Sequence, residues 1–344
     1  MADPDPDAAA SPLTVPPSRL GRRIAGLVAL AVLVGALILV LPGLDDVRSR
    51  FANVNAAWLA VIALLQLASC FFYIAAFRGV FAVRSRWRDS YDVGMAEQAV
   101  NVLLPVGGIG GVALGAWVMR RDGMPSTDVA RRSVAFFVIT SAPNFVLVAL
   151  VGTIIASGLV SQTAPPAVTL IATAGSAAAI ALVAALPRLN QRLARRPAPD
   201  TTGQGTWSWA SVRSGLRRAA ATLAGGVEVT AALTRPPNPQ ALIGAWGYLI
   251  LDVASMWAAF AAFGDTPPLA VFVFAYLIGQ LGGLIPLPGG IGGTDGGLIG
   301  AFVLYGASLP EATAAVLAYR VFELGIPAVL GTAAFVRVRR VLLA

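Results

Sequence analysis

The chain contains no lysine and no histidine, and Cys70 is its only cysteine. Without these residues, a lysine Schiff base, a histidine general base and a histidine metal site are all excluded. A single cysteine cannot form a disulfide within the chain. Cys70 lies in an apolar run with no basic neighbour to activate it, which indicates a small buried hydrophobe. Side-chain catalysis would have to use carboxylates, arginines and hydroxyls, so we expect no enzyme, no cofactor and no metal site.

Charge is also scarce. Charged residues make up 12% of the chain and hydrophobic residues 57%, whereas a soluble domain carries about 25% charged residues. The chain is therefore predicted to be an integral membrane protein, and its long unbroken apolar runs favour helices over a barrel. The net charge of +8 would suggest nucleic acid in a soluble protein. Here the arginines cluster at the ends of apolar runs, which indicates topology signals and contacts with anionic lipid rather than a nucleic-acid partner.

The arginine clusters allow a topology to be assigned. Residues 1–18 read as a disordered tail, which the positive-inside rule places in the cytoplasm together with the C-terminus. The arginine-rich loop 187–239 is also predicted to be cytoplasmic, with a basic amphipathic helix at Trp207–Leu233 on the inner leaflet. About six full spans are predicted: Ile24–Leu41, Trp58–Ala76, Ser133–Val160, Val168–Leu186, Ala241–Phe263 and Ala312–Phe335.

Two glycine-rich breaks interrupt the apolar pattern. Leu284–Gly297 contains two prolines and six glycines, which must break any helix. Its Gly-Gly-Ile-Gly-Gly core occurs again at Gly107–Gly111, also shortly after Leu-Pro. A broken backbone at membrane depth is tolerated only where protein or a water-filled cavity satisfies it. Two matching breaks in two halves of an apolar chain are typical of a transporter-type site.

The apolar runs beside these breaks are too short to cross a hydrocarbon core of ~30 Å at 1.5 Å per residue. We therefore predict re-entrant helical hairpins near 93–119 and 268–305, with two kinked spans as the open alternative. Each half then reads as span, span, hairpin, span. The two membrane repeats, 19–160 and 161–344, would have inverted topology, with a substrate site at the midplane where they meet.

The candidate site residues come from the breaks and from ionisable residues inside apolar runs. A helix that starts after a glycine turn directs free N–H groups and the positive end of its dipole towards a phosphate or carboxylate. Close helix packing is the alternative role for these glycines. The candidates at the breaks are Gly107, Gly108, Gly110, Gly111, Pro288, Gly289, Gly290, Gly292, Gly293, Thr294 and Asp295. Arg320 and Glu323 in the last span complete the set, and Glu97, Asn101 and Asp252 are weaker candidates.

Arg320 and Asp295 each have a structural alternative. Arg320 lies well inside the last span, where a buried arginine must be paired. It is either a phosphate ligand held by Glu323 or simply the partner of Glu323 in an internal ion pair at i+3. Asp295 could carry a proton or bind a cationic headgroup, but a first-turn carboxylate could equally cap its own helix.

Several of these residues resemble a known family. Leu-Pro-Gly-Gly-Ile-Gly with Asp295, Gly306–Pro310, then Tyr319-Arg320 and Pro327 are similar to the flippase-like membrane domain of lysylphosphatidylglycerol synthases. Asn101, Pro105 and Arg120-Arg121-Asp122-Gly123 resemble its first-half motif. The resemblance implies a multi-pass protein of the bacterial inner membrane that moves or binds lipids with charged headgroups. The family often carries an acid and an arginine where this chain has Val112–Gly115, and this chain has no stretch that could form the aminoacyl-transfer domain.

The sequence therefore predicts an all-α polytopic membrane protein that translocates a phosphate-bearing lipid, passively or coupled to an ion. The lipid partner would be a membrane phospholipid or a polyprenyl-phosphate-linked lipid. Two alternatives stay open: a non-transporting scaffold for a lipid-modifying enzyme or glycosyltransferase, and a secondary transporter of small solutes.

Overall fold

The computed structural model describes residues 49, 51–52, 54–81, 86–103, 109–121, 123–160, 164–194, 209–233, 239–264, 266–284 and 292–343. Within these ranges the regular structure is helical and contains no strand. The helices are α1 Ala56–Phe81, α2 Trp87–Leu103, α3 Ile109–Arg121, α4 Ser126–Ala156, α5 Pro166–Ala194, α6 Trp209–Leu233, α7 Gln240–Phe263, α8 Leu269–Gly279, α9 Gly293–Leu304 and α10 Leu309–Leu343, with a 3-10 turn Gln280–Leu284 after α8.

Five of these helices, α1, α4, α5, α7 and α10, are long and apolar enough to cross a membrane. They correspond to five of the six predicted spans, although α4 ends at Ala156, before the predicted end at Val160. The sixth, Ile24–Leu41, and the predicted tail 1–18 lie outside the described residues. The described part of the chain is thus an all-α polytopic membrane protein.

The two predicted hairpins appear as pairs of short helices. α2 and α3 have 17 and 13 residues and pack together; α8 and α9 have 11 and 12 and also pack together. At 1.5 Å per residue even α2 is only about 25 Å long. The second arm of the second pair, α9, begins at Gly293, inside the predicted break Leu284–Gly297. Gly292 precedes it with φ +89°, a left-handed conformation that favours glycine.

The helix packing of the two halves corresponds. α2 of the first hairpin packs against α10, and α8 of the second packs against α4. The second arms follow the same rule, α3 on α4 and α9 on α10. The helices α4 and α10 each carry an internal proline, Pro143 and Pro327. Each hairpin therefore packs against two long proline-containing helices, α4 from the first half and α10 from the second.

The helices α1 and α7 form the most extensive contact in the described structure. Their backbones approach closely at Gly79, where an added Cβ would lie 2.7 Å from the Ala241 Cα, and at Gly244, where it would lie 2.7 Å from the Ala76 Cα. Small residues at such crossings allow the close van der Waals contact on which helix association in lipid depends. This contact brings Gln66 of α1 next to Asp252 of α7.

The helix predicted at Trp207–Leu233 is confirmed as α6, beginning at Trp209. It packs against α4 and α5, and at Gly226 an added Cβ would clash with the side chain of Val134 on α4. Its C-terminal half is thus held by the helix bundle. A position on the inner leaflet stays a prediction.

Candidate functional site

A hydrogen-bond network lies in the interior where α1, α7, α8 and α10 meet, and Asp252 of α7 is its centre. Gln66 Nε2 and Tyr319 OH both donate to Asp252 Oδ1 at 2.8 Å, and Tyr276 OH donates to Oδ2. Gln280 Nε2 donates to Tyr276 OH at 2.7 Å. Asp252 is 6% exposed, and a carboxylate can be buried this deeply only if donors replace its hydration.

Arg320 of α10 lies beside this network, because it directly follows Tyr319. Its Nε lies 2.7 Å from Asp295 Oδ1, and its Nη1 lies 2.5 Å from Glu323 Oε2. The Arg320 side chain is 7% exposed, whereas those of Asp295 and Glu323 are 18% and 23% exposed. The arginine is thus enclosed, and the two carboxylates that hold it are partly open.

Asp295 has two partners. Its Oδ2 accepts the backbone N–H of Gly292 at 2.7 Å, while its Oδ1 accepts from Arg320. The N–H of Gly292 is one of the donors at the start of α9 that has no partner within the helix. Asp295 therefore ties the beginning of the second hairpin arm to α10. The capping role expected for Asp295 is confirmed, while its role as a proton carrier or as a ligand for a cationic headgroup stays a prediction.

The cluster has more acids than bases. Asp252, Asp295 and Glu323 contribute three carboxyl groups, and Arg320 is the basic residue that contacts two of them. Asp252 lies next to these ion pairs, because Tyr319, which directly precedes Arg320, donates to its Oδ1. Buried charges are tolerated when they are paired and hydrogen-bonded, and an excess of carboxylates favours a proton or a cation nearby. The cluster can therefore bind an anion through Arg320 and a positive group through the acids around it.

The first hairpin has a different polar site. Asn101 Oδ1 accepts the backbone N–H of Gly111 at 2.8 Å, so Asn101 satisfies a donor in the first turn of α3. Glu97 is 1% exposed. Its Oε2 has no hydrogen-bond partner within the described residues. Gly111 leaves space for the Glu97 side chain, since an added Cβ there would lie 2.6 Å from Glu97 Cγ.

The structure therefore brings together Asp252, Asp295, Arg320 and Glu323, and it places Glu97 and Asn101 in the other hairpin. The internal ion pair expected at Arg320 and Glu323 is confirmed. Gly293 is the backbone contact of Gly282 in the 3-10 turn, because a Cβ added at Gly282 would lie 2.8 Å from the Gly293 carbonyl carbon. Thr294 is buried and Gly110 lies in the first turn of α3. The remaining glycine-turn candidates, Gly107, Gly108, Pro288, Gly289 and Gly290, lie outside the described residues.

Sequence reasoning did not propose four members of the network as site residues: Gln66, Tyr276, Gln280 and Tyr319, the last of which entered only through the family motif. Gln66 lies near the middle of the apolar helix α1, and a polar side chain there must find a partner in the protein. That signal was available in the sequence. Tyr276 and Gln280 gave a weaker signal in the sequence. A tyrosine followed by a glutamine one turn later does not indicate a site until Asp252 is known to face them.

These observations define a class of protein: a polytopic helical membrane protein with buried ionisable residues at a broken-helix hairpin. Residues 28–331 match the family model described as the lysylphosphatidylglycerol synthase TM region. The chain therefore belongs to this family and is a multi-pass membrane protein of lipid-related function. Comparison with curated proteins found no match.

Proposed function

We propose that this protein is a lipid translocase that moves a phosphate-bearing lipid across the bacterial inner membrane. The observation that carries the proposal is the position of Arg320 in α10. Its side chain is enclosed between Glu323 of the same helix and Asp295, which lies at the start of the short helix α9. Intramembrane ionisable residues of this kind usually mark a substrate or ion pathway. Membership of a lipid-related membrane family supports a lipid as the substrate.

The chemistry of the cluster allows Arg320 to exchange a carboxylate partner for a lipid phosphate. A guanidinium has five N–H donors and binds phosphate oxygens in a fork. A lipid phosphate that approaches Arg320 would replace one carboxylate, and the released carboxylate would bind a proton or an ammonium group on the same headgroup. The site therefore suits an anionic phospholipid, a lysyl-modified phospholipid or a polyprenyl-phosphate-linked lipid. If transport is coupled to protons, Asp295 or Glu323 is the carrier.

The paired hairpins provide the proposed route. Because each hairpin packs against the long proline-containing helices of both halves, rocking of one half against the other would expose the cluster to each side in turn. Inverted repeats with re-entrant hairpins support such alternating access. Both termini would be cytoplasmic, and the protein would act as a carrier rather than as an enzyme.

The test is lipid translocation in proteoliposomes with a headgroup-labelled phospholipid and an impermeant reagent that destroys label in the outer leaflet. Arg320→Gln should slow transfer at least about tenfold, the effect expected for one lost charged contact of ~1.4 kcal/mol. Arg320→Lys keeps the charge but loses the fork and should be intermediate. Arg188→Gln removes an exposed arginine of α5 and should transfer lipid at the wild-type rate.

Two results would count against the proposal. Wild-type transfer by a folded Arg320→Gln variant would remove the assigned role of that residue. Wild-type protein that moves each of the proposed lipids no faster than protein-free liposomes would favour the alternatives, a scaffold for a lipid-modifying enzyme or a small-solute transporter. Deletion of α6 then separates the two, since a scaffold that recruits through the basic loop would lose its partner.

A further inference from the structure

A cavity lies away from the central cluster, between α1, α2 and α10. Its volume is about 580 Å³, and its lining includes Phe71, Trp87, Arg88, Tyr91, Asp92 and Arg337. Arg337 follows Arg320 by 17 residues in α10, so the two sites are about 25 Å apart along the helix. The cavity is at the end of α10 that the arginine pattern assigns to the cytoplasmic side.

The polar part of the cavity is basic. Arg337 Nη2 lies 2.7 Å from Asp92 Oδ1, and Nε of the same arginine donates to that oxygen at 2.9 Å. This pair compensates one positive charge. Arg88 is exposed and has no ion-pair partner among the residues that the structure describes. One positive charge therefore remains for an anionic ligand. Because the Arg337 side chain is 51% exposed, it can contact such a ligand without breaking its pair.

The other wall of the cavity is aromatic and open to lipid. Phe71 is 50% exposed and Trp87 41% exposed, and their rings pack edge to face at 5.4 Å. The guanidinium of Arg337 lies 6.0 Å from the centre of the Tyr91 ring. Tryptophan and tyrosine side chains of this kind belong to the membrane interface, where one part is apolar and another is wet. Phe71 extends this wall along α1 towards the bilayer interior.

We propose that this cavity binds an anionic phospholipid of the cytoplasmic leaflet. The phosphate contacts Arg88 and Arg337, and an acyl chain lies along Phe71. Basic pockets between transmembrane helices on the cytoplasmic side bind anionic headgroups, with about 1 kcal/mol for each arginine near the surface. Binding here does not depend on translocation, because it needs only the static cavity and its charge.

The experiment uses the fluorescence of Trp87 in proteoliposomes made of the full chain. Brominated acyl chains quench a tryptophan that they touch, and a Trp87→Phe variant isolates the contribution of this residue from the other tryptophans. Quenching is measured against the mole fraction of brominated phosphatidylglycerol or brominated phosphatidylcholine. We expect phosphatidylglycerol to reach half-maximal quenching at roughly a fivefold lower mole fraction, because the one uncompensated arginine contributes about 1 kcal/mol.

Charge variants decide the proposal. In Arg88→Gln, which leaves the Arg337–Asp92 pair intact and the cavity without net charge, the two quenching curves should coincide, whereas Arg188→Gln, which alters an exposed arginine outside the cavity, should keep the preference. Arg88→Gln/Arg337→Gln leaves Asp92 without its partner, so phosphatidylglycerol should then need the higher mole fraction. Identical curves for the two lipids in the wild type, or an unchanged preference in a folded variant, would overturn the proposal. A slow or absent lipid transfer would not affect it.

Discussion

Asp252 shows how a single carboxylate can organise the interior of this protein. Three side chains from three other helices donate to it: Gln66, Tyr276 and Tyr319. The donors lie on three different helices, α1, α8 and α10, so the network is a set of directional contacts that tie these helices to α7. Hydrogen bonds in such a network have no water to replace them, which raises the cost of removing their common acceptor.

Replacing this acceptor should weaken the bundle. An amide in Asp252→Asn still has one oxygen for Gln66 and Tyr319, but it directs an NH₂ group at the Tyr276 hydroxyl and loses the charge that strengthens all three bonds. We expect the free energy of unfolding in detergent to fall by about 1–3 kcal/mol. Thermal unfolding followed by fluorescence, with denaturant titration for the free energy, measures this.

The matched control is Ser255→Ala in the same helix. Ser255 is fully buried, and its hydroxyl has no hydrogen-bond partner among the described residues. Removing it should change stability by no more than roughly 0.5 kcal/mol. Equal losses in the two variants would mean that burial in α7, rather than the Asp252 network, determines the effect.

Helix elements were more predictable than their contacts. Five spans, both short-helix pairs and the start of α9 follow from apolar runs, arginine clusters and the proline and glycine breaks, since each of these acts locally. The pairing of Arg320 with Glu323 is also local, because they are neighbours on one helix. The contacts of Arg320 with Asp295 and of Asp252 with Tyr276 depend on which helices pack together. No local pattern contains that information, so sequence reasoning found the acids without finding their partners.

The glycines of α9 lie in two different environments, one at the contact with the other arm of the second hairpin and one away from it. In α9, an added Cβ at Gly297 would lie 3.1 Å from the Gly282 Cα and would also meet the Gly279 carbonyl oxygen, whereas at Gly300 it would meet no atom within 4 Å. The first glycine allows the two arms to touch, and the second lies in open space. The glycine-rich composition of this stretch therefore has a packing component that is separate from any ligand.

A pair of alanine substitutions tests this difference. Gly297→Ala forces the two arms apart, and overpacking of this kind costs about 1–3 kcal/mol. Gly300→Ala meets no obstacle and should leave stability unchanged or raise it by up to about 1 kcal/mol, because alanine loses less conformational entropy in a helix. Unfolding midpoints in one detergent compare them. If Gly297→Ala were as stable as Gly300→Ala, close contact between the arms would not stabilise the hairpin.

At the scale of the whole molecule, the described helices of the two halves make corresponding contacts. The first hairpin lies on α10 as the second lies on α4, while α1 and α7 pack against each other. The charges do not follow this correspondence. Counting back seven residues from the internal prolines, Pro143 and Pro327, α4 has Phe136 where α10 has Arg320. The two halves thus share an architecture, but the ionic cluster belongs to the second half.

The predicted inverted topology can be tested by chemical labelling, and the chain suits the method because Cys70 is its only cysteine. In a Cys70→Ala background, single cysteines are placed before and after each hairpin: at Arg86 and Ser126 for the first, and at Thr266 and Ser308 for the second.

Re-entrant hairpins return to the side from which they enter. An impermeant maleimide should therefore label Arg86→Cys and Ser126→Cys from the cytoplasmic side only. It should label Thr266→Cys and Ser308→Cys from the opposite side only. Two kinked spans would instead place Arg86 and Ser126 on opposite sides of the membrane. That outcome would contradict the inverted repeat, which requires both flanks of a hairpin to lie on one side. Arg120, Arg121 and Arg131 would then lie outside, against the positive-inside rule.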